Sequence, residues 1–302
     1  MVSHSSMNTQ TVLVTGADGF TGRYMVPLLR SRGYHVVGLG AGETGANETI
    51  VCDLTDEKKV QDVVSQVLPV YVVHLAALSF IGESDPTNFY RVNLFGTLNL
   101  IEALTHLHIA PKKILIASSA NVYGTPRLAI IDESVCPAPI NHYANSKLAM
   151  EYMVRTWFER LSIVITRPFN YTGPGQDERF LIPKIVGHYR RREREIKLGN
   201  LDISRDFSDV HDVVLCYEAL LQSNARSMIV NICSGETTSL HEIIKMMNNI
   251  SGYEISVQSD PTLRRKNEIK SLSGSNYLLR KTIGFLPKYS LHETLKFMFS
   301  SK

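Results

Sequence analysis

Along the first 170 residues, short apolar runs alternate with longer stretches whose apolar positions recur every three or four residues. TVLVTG (11–16) is a β-branched run, and helical spacing follows it through residue 31. YHVVGL (34–39) and ETIVCD (48–53) read as strands, and LTDEKKVQDVVSQV (54–67) as a helix with Thr55 at its N-cap. YVVHLA (71–76), KILIAS (113–118) and SIVITRPF (162–169) add three strands, and the spacing predicts amphipathic helices over 88–107 and 142–161. Six strands mostly separated by helices predict an α/β fold built on a doubly wound parallel sheet. Near-continuous apolar strands fit a sheet covered on both faces.

After residue 170 the rhythm breaks. GPGQDE (173–178) reads as a loop, FLIPKIVGHYRRRERE (180–195) as a helix ending in a basic cluster, and shorter elements follow. The expected organisation is a disordered leader over 1–10 and a first domain over 11–170. Later segments such as 204–235 rejoin that domain, and residues 171–302 form mainly a smaller C-terminal α/β lobe. A chain of 302 residues suits that division.

Composition narrows the function. Hydrophobic residues are 44% and charged residues 20%, an ordinary globular balance. A net charge of +3 argues against a nucleic-acid or membrane-surface partner, and RRRER (190–194) reads as a solvated helix end. No run reaches the ~18 apolar residues that span a bilayer. MVSHSSMNTQ lacks the apolar core of a signal peptide, and Met7 is an alternative start. Cys52, Cys136, Cys216 and Cys233 show no metal-ligand spacing and read as reduced packing residues of a cytoplasmic protein.

The strand TVLVTG runs into GADGFTG and then a helix, the setting of a Rossmann-type dinucleotide turn. Gly16 allows the tight turn, Gly19 the approach of a pyrophosphate, and Gly22 close packing of helix on sheet. The end of the second strand reads GLGAG (38–42), with no acid before Glu43. An acid there reads the ribose 2′-hydroxyl of NAD(H). Its absence permits a 2′-phosphate, with Arg23 within reach, so the sequence leans to NADP(H) over NAD(H). Asp53 either accepts from the adenine amino group or helps cap the next helix.

HYANSK (142–147) places Tyr143 and Lys147 four apart on one helical face. Tyrosine ordinarily titrates near ~10, and a neighbouring ammonium favours its phenolate. Such a pair is either an idle surface contact or a proton donor with its tuning cation. The dinucleotide turn and the strand-end hydroxyls of SSANVYG (118–124) favour the second.

These motifs occur in the order of a known family. TGADGFTG, CDL, HLAA (74–77), NLFGTLNL (93–100), SSANVYG, YANSK, RPFNYTGPGQ (167–176), SRDFSDVHDV (204–213) and IGFLPKYSLHETL (283–295) resemble the extended short-chain dehydrogenase/reductase family over nearly the whole chain. Within it, RPFNYTGPGQ, LGNLDISRDFSDVHDV and VNICSG are most similar to the GDP-6-deoxy-D-mannose reductases. The resemblance implies reduction of the C4 ketone of a nucleotide-activated 4-keto-6-deoxyhexose, GDP-4-keto-6-deoxy-D-mannose to GDP-D-rhamnose. It implies Ser119, Tyr143 and Lys147 as catalytic residues, with Ser118 the alternative hydroxyl, and Phe20, Leu54, Leu75, Ala76 and Ala77 beside the cofactor. It implies Ser79, Asn121, Asn170, Arg205 and Arg265 at the sugar nucleotide, although Asn267 replaces an acid common two places after that last arginine. A homodimer through the helices at 88–107 and 142–161 is implied as well. Tyrosine acting as acid would contribute ~10²–10⁴-fold, and a Ser119 hydrogen bond ~3 kcal/mol.

A 4,6-dehydratase needs acids after the catalytic hydroxyl, where Ala120 and Asn121 stand. A 4-epimerase commonly carries the acid missing from the second strand. A non-catalytic dinucleotide sensor tends to lose the tyrosine or lysine kept here. GDP, dTDP and UDP, and rhamnose and 6-deoxytalose products, stay open on these residues. Of the remaining residues, His74 reads as a structural neighbour of the site and Trp157 with Met153 and Leu161 as core. Asp206, Asp209 and Asp212 read as caps and structural acids with no metal, and Tyr123 as pocket wall or packing.

Overall fold

The computed structural model describes residues 10–80, 84–126, 128–263, 271–285 and 289–301. Residues 1–9 of the expected leader 1–10 lie outside them. Six parallel strands come from the first 170 residues: β1 (Thr11–Thr15), β2 (His35–Leu39), β3 (Glu48–Ile50), β4 (Tyr71–His74), β5 (Lys113–Ala117) and β6 (Ile163–Pro168). A seventh, Met228–Ile232 (β10), joins them beyond the six expected, and the order is β10-β6-β5-β4-β1-β2-β3.

Side chains alternate across each strand, so the sheet has two apolar faces. Val12, Val14, Val73 and Val230 meet α1 (Gly22–Ser31), α7 (Val210–Gln222) and α9 (Tyr277–Ile283) through Met25, Tyr217 and Leu279. Leu13, Val72, Ile114 and Ile165 meet α2 (Glu57–Val67), α4 (Thr97–Thr105) and α5 (His142–Arg155) through Val64, Ile101 and Met150. Each such side chain contributes about 1.5–3 kcal/mol by leaving water. This double cover is why the strands read as continuous apolar runs.

A separate apolar cluster joins α6 (Leu181–Arg190), α8 (Leu240–Ser251) and α10 (Leu291–Ser300) to the strand pair β8 (Glu195–Leu198) and β12 (Ser256–Ser259). A small sheet lies between the bodies of apolar packing, with β7 (Asn170–Thr172), β9 (Ser204–Asp209), β11 (Thr237–Ser239) and β13 (Ser271–Leu272). No described helix is long and apolar enough to cross a membrane.

Helix ends depart from the periodic reading. Helix α2 begins at Glu57, and its N-cap is Asp56, whose side chain accepts from the Lys59 N–H, rather than Thr55. The predicted helix 142–161 stops at Arg155. The chain then tightens into three-residue turns, Trp157 N–H to Val154 O and Phe158 N–H to Arg155 O, which keep Trp157 and Leu161 on the sheet. Met153 is 43% exposed and takes no place in that core. The predicted helix 180–195 stops at Arg190. Arg192 takes a φ of 57°, and Glu195 enters β8.

The helix predicted over 88–107 is continuous but not uniform. After α3 (Thr87–Phe89), residues Tyr90–Gly96 form a π-helix before α4. Its wide turn holds the buried Asn93. That side chain accepts from the Leu78 N–H at 2.8 Å and donates to Leu78 O at 3.0 Å and to Ser146 Oγ at 3.1 Å.

Candidate active site

Strand order reverses between β1 and β4, and a parallel sheet opens a crevice at such a point beyond its carboxyl ends. The glycine turn lies flush against β4 here. Gly16 has a φ of +66°, and a Cβ on it would sit 2.8 Å from the Ala76 nitrogen. A Cβ on Gly22 would sit 2.3 Å from Gly16 O. Only glycine fits either place. The crevice encloses about 280 Å³ and is bordered by Gly16, Gly19, Gly40, Leu54, Leu75 and Ala76, with Ala77 beside them. This glycine-floored slot has room for the adenosine half of a dinucleotide, and Ser119, Tyr143 and Lys147 lie outside its lining.

Two expected cofactor residues point elsewhere. The Phe20 ring stacks on Tyr171 at 6.0 Å. Arg23, expected to reach a 2′-phosphate, donates from Nη2 to Gly175 O at 3.0 Å, since the 173–176 loop folds over the start of α1. The Asp53 carboxylate accepts from the Thr55 N–H and hydroxyl, both at 2.9 Å, and those bonds hold it below the usual carboxylate range. Of its two readings, its contacts match the turn into α2.

The end of β2 is not free of acid, as the sequence suggested. Asp18, from inside the glycine turn, lays its carboxylate there. Oδ2 accepts from the Ala41 N–H at 2.9 Å and the Gly42 N–H at 3.1 Å.

Ser119, Tyr143 and Lys147 converge at the end of β5, each less than a tenth exposed. Asn141 caps α5 by accepting from the Ala144 N–H, and this sets Tyr143 in the first turn. The Tyr143 phenol neighbours the Ser119 hydroxyl, whose Oγ accepts from the Asn121 N–H at 3.2 Å. Ser118, the alternative hydroxyl, instead donates to Glu151. Burial pushes the Tyr143 phenol up to about 12, with the Ser119 hydroxyl opposing the rise. The expectation of a phenol lowered by the ammonium is therefore corrected. Lys147 directs Nζ to Ala117 O at 2.8 Å, and burial lowers it to about 8 against the pull of Glu151. Desolvation is the largest influence on both groups.

Beside the crevice, His74 bridges two hydroxyls: Nδ1 lies 2.7 Å from Thr15 Oγ1 and Nε2 2.7 Å from Thr97 Oγ1. Thr97 spends its proton on Asn93 O, so it must accept from the ring. That fixes the Nε2–H tautomer, and Thr15 donates to Nδ1. Burial lowers this histidine to about 3, so it stays neutral and positions Thr15, which accepts from the Ala76 N–H.

Next to Ser118 and Lys147 lies a group that sequence reasoning missed. Glu151, a further helical turn past Lys147, accepts from Arg167 Nε at 3.0 and 3.2 Å and from its Nη2. The Arg167 guanidinium lies 4.7 Å from the Tyr123 ring centre, and the Tyr123 hydroxyl donates to Asn231 Oδ1 at 2.7 Å. Tyr123 is thus packing. The spacing Tyr143, Lys147, Glu151 was the available signal. A larger cavity, about 490 Å³, lies past Glu151 among Glu133, Cys136, Arg155 and Met228, and none of the three catalytic candidates borders it.

On the substrate side, Asn170 pairs with Phe207 across β7 and β9, which brings it beside Arg205, two places away along β9. Asn170 Nδ2 reaches Asp206 O at 3.4 Å. Asn121 follows Ser119 in the short turn Ala120–Tyr123, and Ser79 is exposed in the loop after β4. Arg265 and Asn267 lie outside the described residues. Asp206 accepts from Ser234 and Gly235, Asp209 caps α7, and Asp212 accepts from the Tyr289 N–H. Among the described residues no acid, histidine and cysteine cluster could hold a metal. Cys136 is exposed and does not pack as expected.

Comparison with known proteins adds lineage to this geometry. A family model described as GDP-mannose 4,6 dehydratase matches residues 13–298. A GDP-6-deoxy-D-talose 4-dehydrogenase from Aggregatibacter actinomycetemcomitans is 35% identical, over 90% of this chain and 91% of that protein. A GDP-6-deoxy-D-mannose reductase from Pseudomonas aeruginosa is 32% identical over 97% of each chain. The solved structure of RMD from Pseudomonas aeruginosa complexed with NADPH superposes with a TM-score of 0.85 at 31% identity, covering 97% of each chain.

Proposed function

The chain belongs to the GDP-mannose 4,6-dehydratase family of extended short-chain dehydrogenases/reductases and is an NAD(P)-dependent oxidoreductase, and from that premise we propose that it reduces the C4 ketone of GDP-4-keto-6-deoxy-D-mannose to GDP-D-rhamnose. The convergence of the buried Ser119, Tyr143 and Lys147 at the end of β5, with Lys147 Nζ on Ala117 O, carries this reading. It sets a phenol, a second hydroxyl and an ammonium where one carbonyl oxygen could meet the first two.

Bound reduced nicotinamide supplies the hydride. Tyr143 gives its proton to the C4 oxygen, and Ser119 donates a second hydrogen bond to that oxygen. The Lys147 ammonium then offsets the phenolate left behind. Asn170 and Arg205 hold the diphosphate. Ala120 and Asn121, after Ser119, offer no acid for removing water across C5–C6, which separates this reading from the dehydration for which the family is described. The similarity to a 6-deoxytalose dehydrogenase favours a second reading, reduction from the other ring face. Exposed Phe95, Tyr152 and Met153 on the helices 87–105 and α5 are apolar positions that a homodimer would cover.

The test is incubation with GDP-4-keto-6-deoxy-D-mannose and NADH or NADPH, followed by NMR of the sugar. Rhamnose with loss of reduced cofactor is expected, and 6-deoxytalose selects the second reading. No consumption of either cofactor overturns both. A pH dependence goes with it. Lys147 loses its charge as pH rises through about 8, whereas Tyr143 keeps its proton up to about 12. Turnover at saturating substrates is expected to hold below pH 8 and fall above it. A flat profile to pH 10 would remove Lys147 from the proton step.

A further inference from the structure

We propose that Asp18 is the residue that reads the adenosine ribose, making the site selective for NAD(H) over NADP(H). The inference rests on the crevice being a dinucleotide site and deepens that part of the functional reading only. In parallel nucleotide-binding sheets, the group at the end of the second strand meets the 2′-position. Here that place is a turn without side-chain chemistry, Gly40, Ala41 and Gly42. The acid arrives from the other wall. Asp18 stands between Gly16 and Gly19 and crosses to the turn, where Oδ2 takes both the Ala41 and Gly42 N–H groups.

The two backbone donors fix the carboxylate and leave Oδ1 free of protein donors among the described residues. Oδ1 faces Gly40 so closely that a Cβ there would lie 2.5 Å from it. Glycine at position 40 therefore keeps the approach to this oxygen open. A vicinal diol can donate to a carboxylate oxygen, whereas a phosphate dianion would meet a like charge that cannot turn away. Compensation is missing as well. No lysine, arginine or histidine borders the crevice among the described residues. Arg23, the cation nearest in sequence, is bound to Gly175 O.

Fluorescence titration of the free protein with NADH and NADPH, without sugar nucleotide, tests this apart from turnover. The wild type is expected to bind NADH roughly tenfold or more tightly, since like charges at contact distance in a partly buried site cost that much or more. Asp18→Asn keeps an acceptor for the two backbone N–H groups and removes the charge. It is expected to bring the two affinities close together, chiefly by tightening NADPH. A carboxylate that only ties the turn would leave the ratio unchanged in this variant, and that result overturns the proposal. Competition by ADP-ribose and its 2′-phosphate on the wild type repeats the test without any variant. Equal displacement by the two also overturns it. Strong NADH preference with no reduction of the keto-sugar would leave Asp18 in place and remove only the proposed substrate.

Discussion

Tyr143→Phe is expected to lower kcat for keto-sugar reduction by about 10²–10⁴-fold, the usual worth of a positioned acid, with dinucleotide affinity nearly unchanged. The variant removes one oxygen. The ring keeps its edge-on contact with Phe89 at 6.0 Å, and the crevice lining is untouched. Ser119 keeps its bond from the Asn121 N–H and still caps the Ala120–Tyr123 turn. Single-turnover decay of reduced nicotinamide, paired with a binding titration, separates the two quantities. Turnover equal to wild type would mean that the proton comes from another group.

Glu151→Ala is expected to have the largest effect on stability, about 3–5 kcal/mol in chemical denaturation, because it strands a buried guanidinium. The Arg167 and Glu151 side chains are only 4% and 2% exposed. Ser118 would lose its acceptor in the same step. Measured against a total of about 5–15 kcal/mol for a natural protein, that loss leaves little margin. Replacing the pair by apolar residues of similar volume should cost far less than removing one partner, since the penalty lies in the uncompensated charge. A loss below about 1 kcal/mol for the alanine variant would show that water reaches Arg167 through the neighbouring cavity and solvates it.

The main sheet was legible because its strands are covered on both faces, so β1, β4, β5 and β6 appear as unbroken apolar runs. The seven-stranded sheet needed β10, whose MIVNI run lies among shorter elements and was not separated from them. Helix ends were illegible where a cap or a reversed φ decides them. Asp56 beside Thr55 offers two caps at adjacent places, and Arg192 ends a basic run by conformation rather than by residue type.

At the site, the pairing of Tyr143 with Lys147 followed from spacing and Ser119 from the family resemblance, but their protonation followed from neither. Proximity along a helix says that an ammonium is near a phenol. It does not say that the ammonium faces a carbonyl or that burial dominates. Asp18 is not visible from the sequence, because an acid at this place is expected on the second strand, about 20 residues further on. Its carboxylate comes from the first turn to the end of the neighbouring strand, a contact that no local pattern contains.

The π-helix at Tyr90–Gly96 carries one more residue in its turn than an α-helix needs. A one-residue change there is therefore absorbed by the winding. Seven residues of the wider helix and about six at 3.6 per turn cover nearly the same rotation, so excising one codon within 90–96 would let the segment relax to ordinary winding with Phe89 still against Tyr143. What would be lost is the wide turn that seats Asn93, and with it the bonds to Leu78 and Ser146. The supernumerary residue thus serves a polar tie between the loop after β4 and α5, and a one-codon deletion would be felt at that tie before it was felt as a shorter helix.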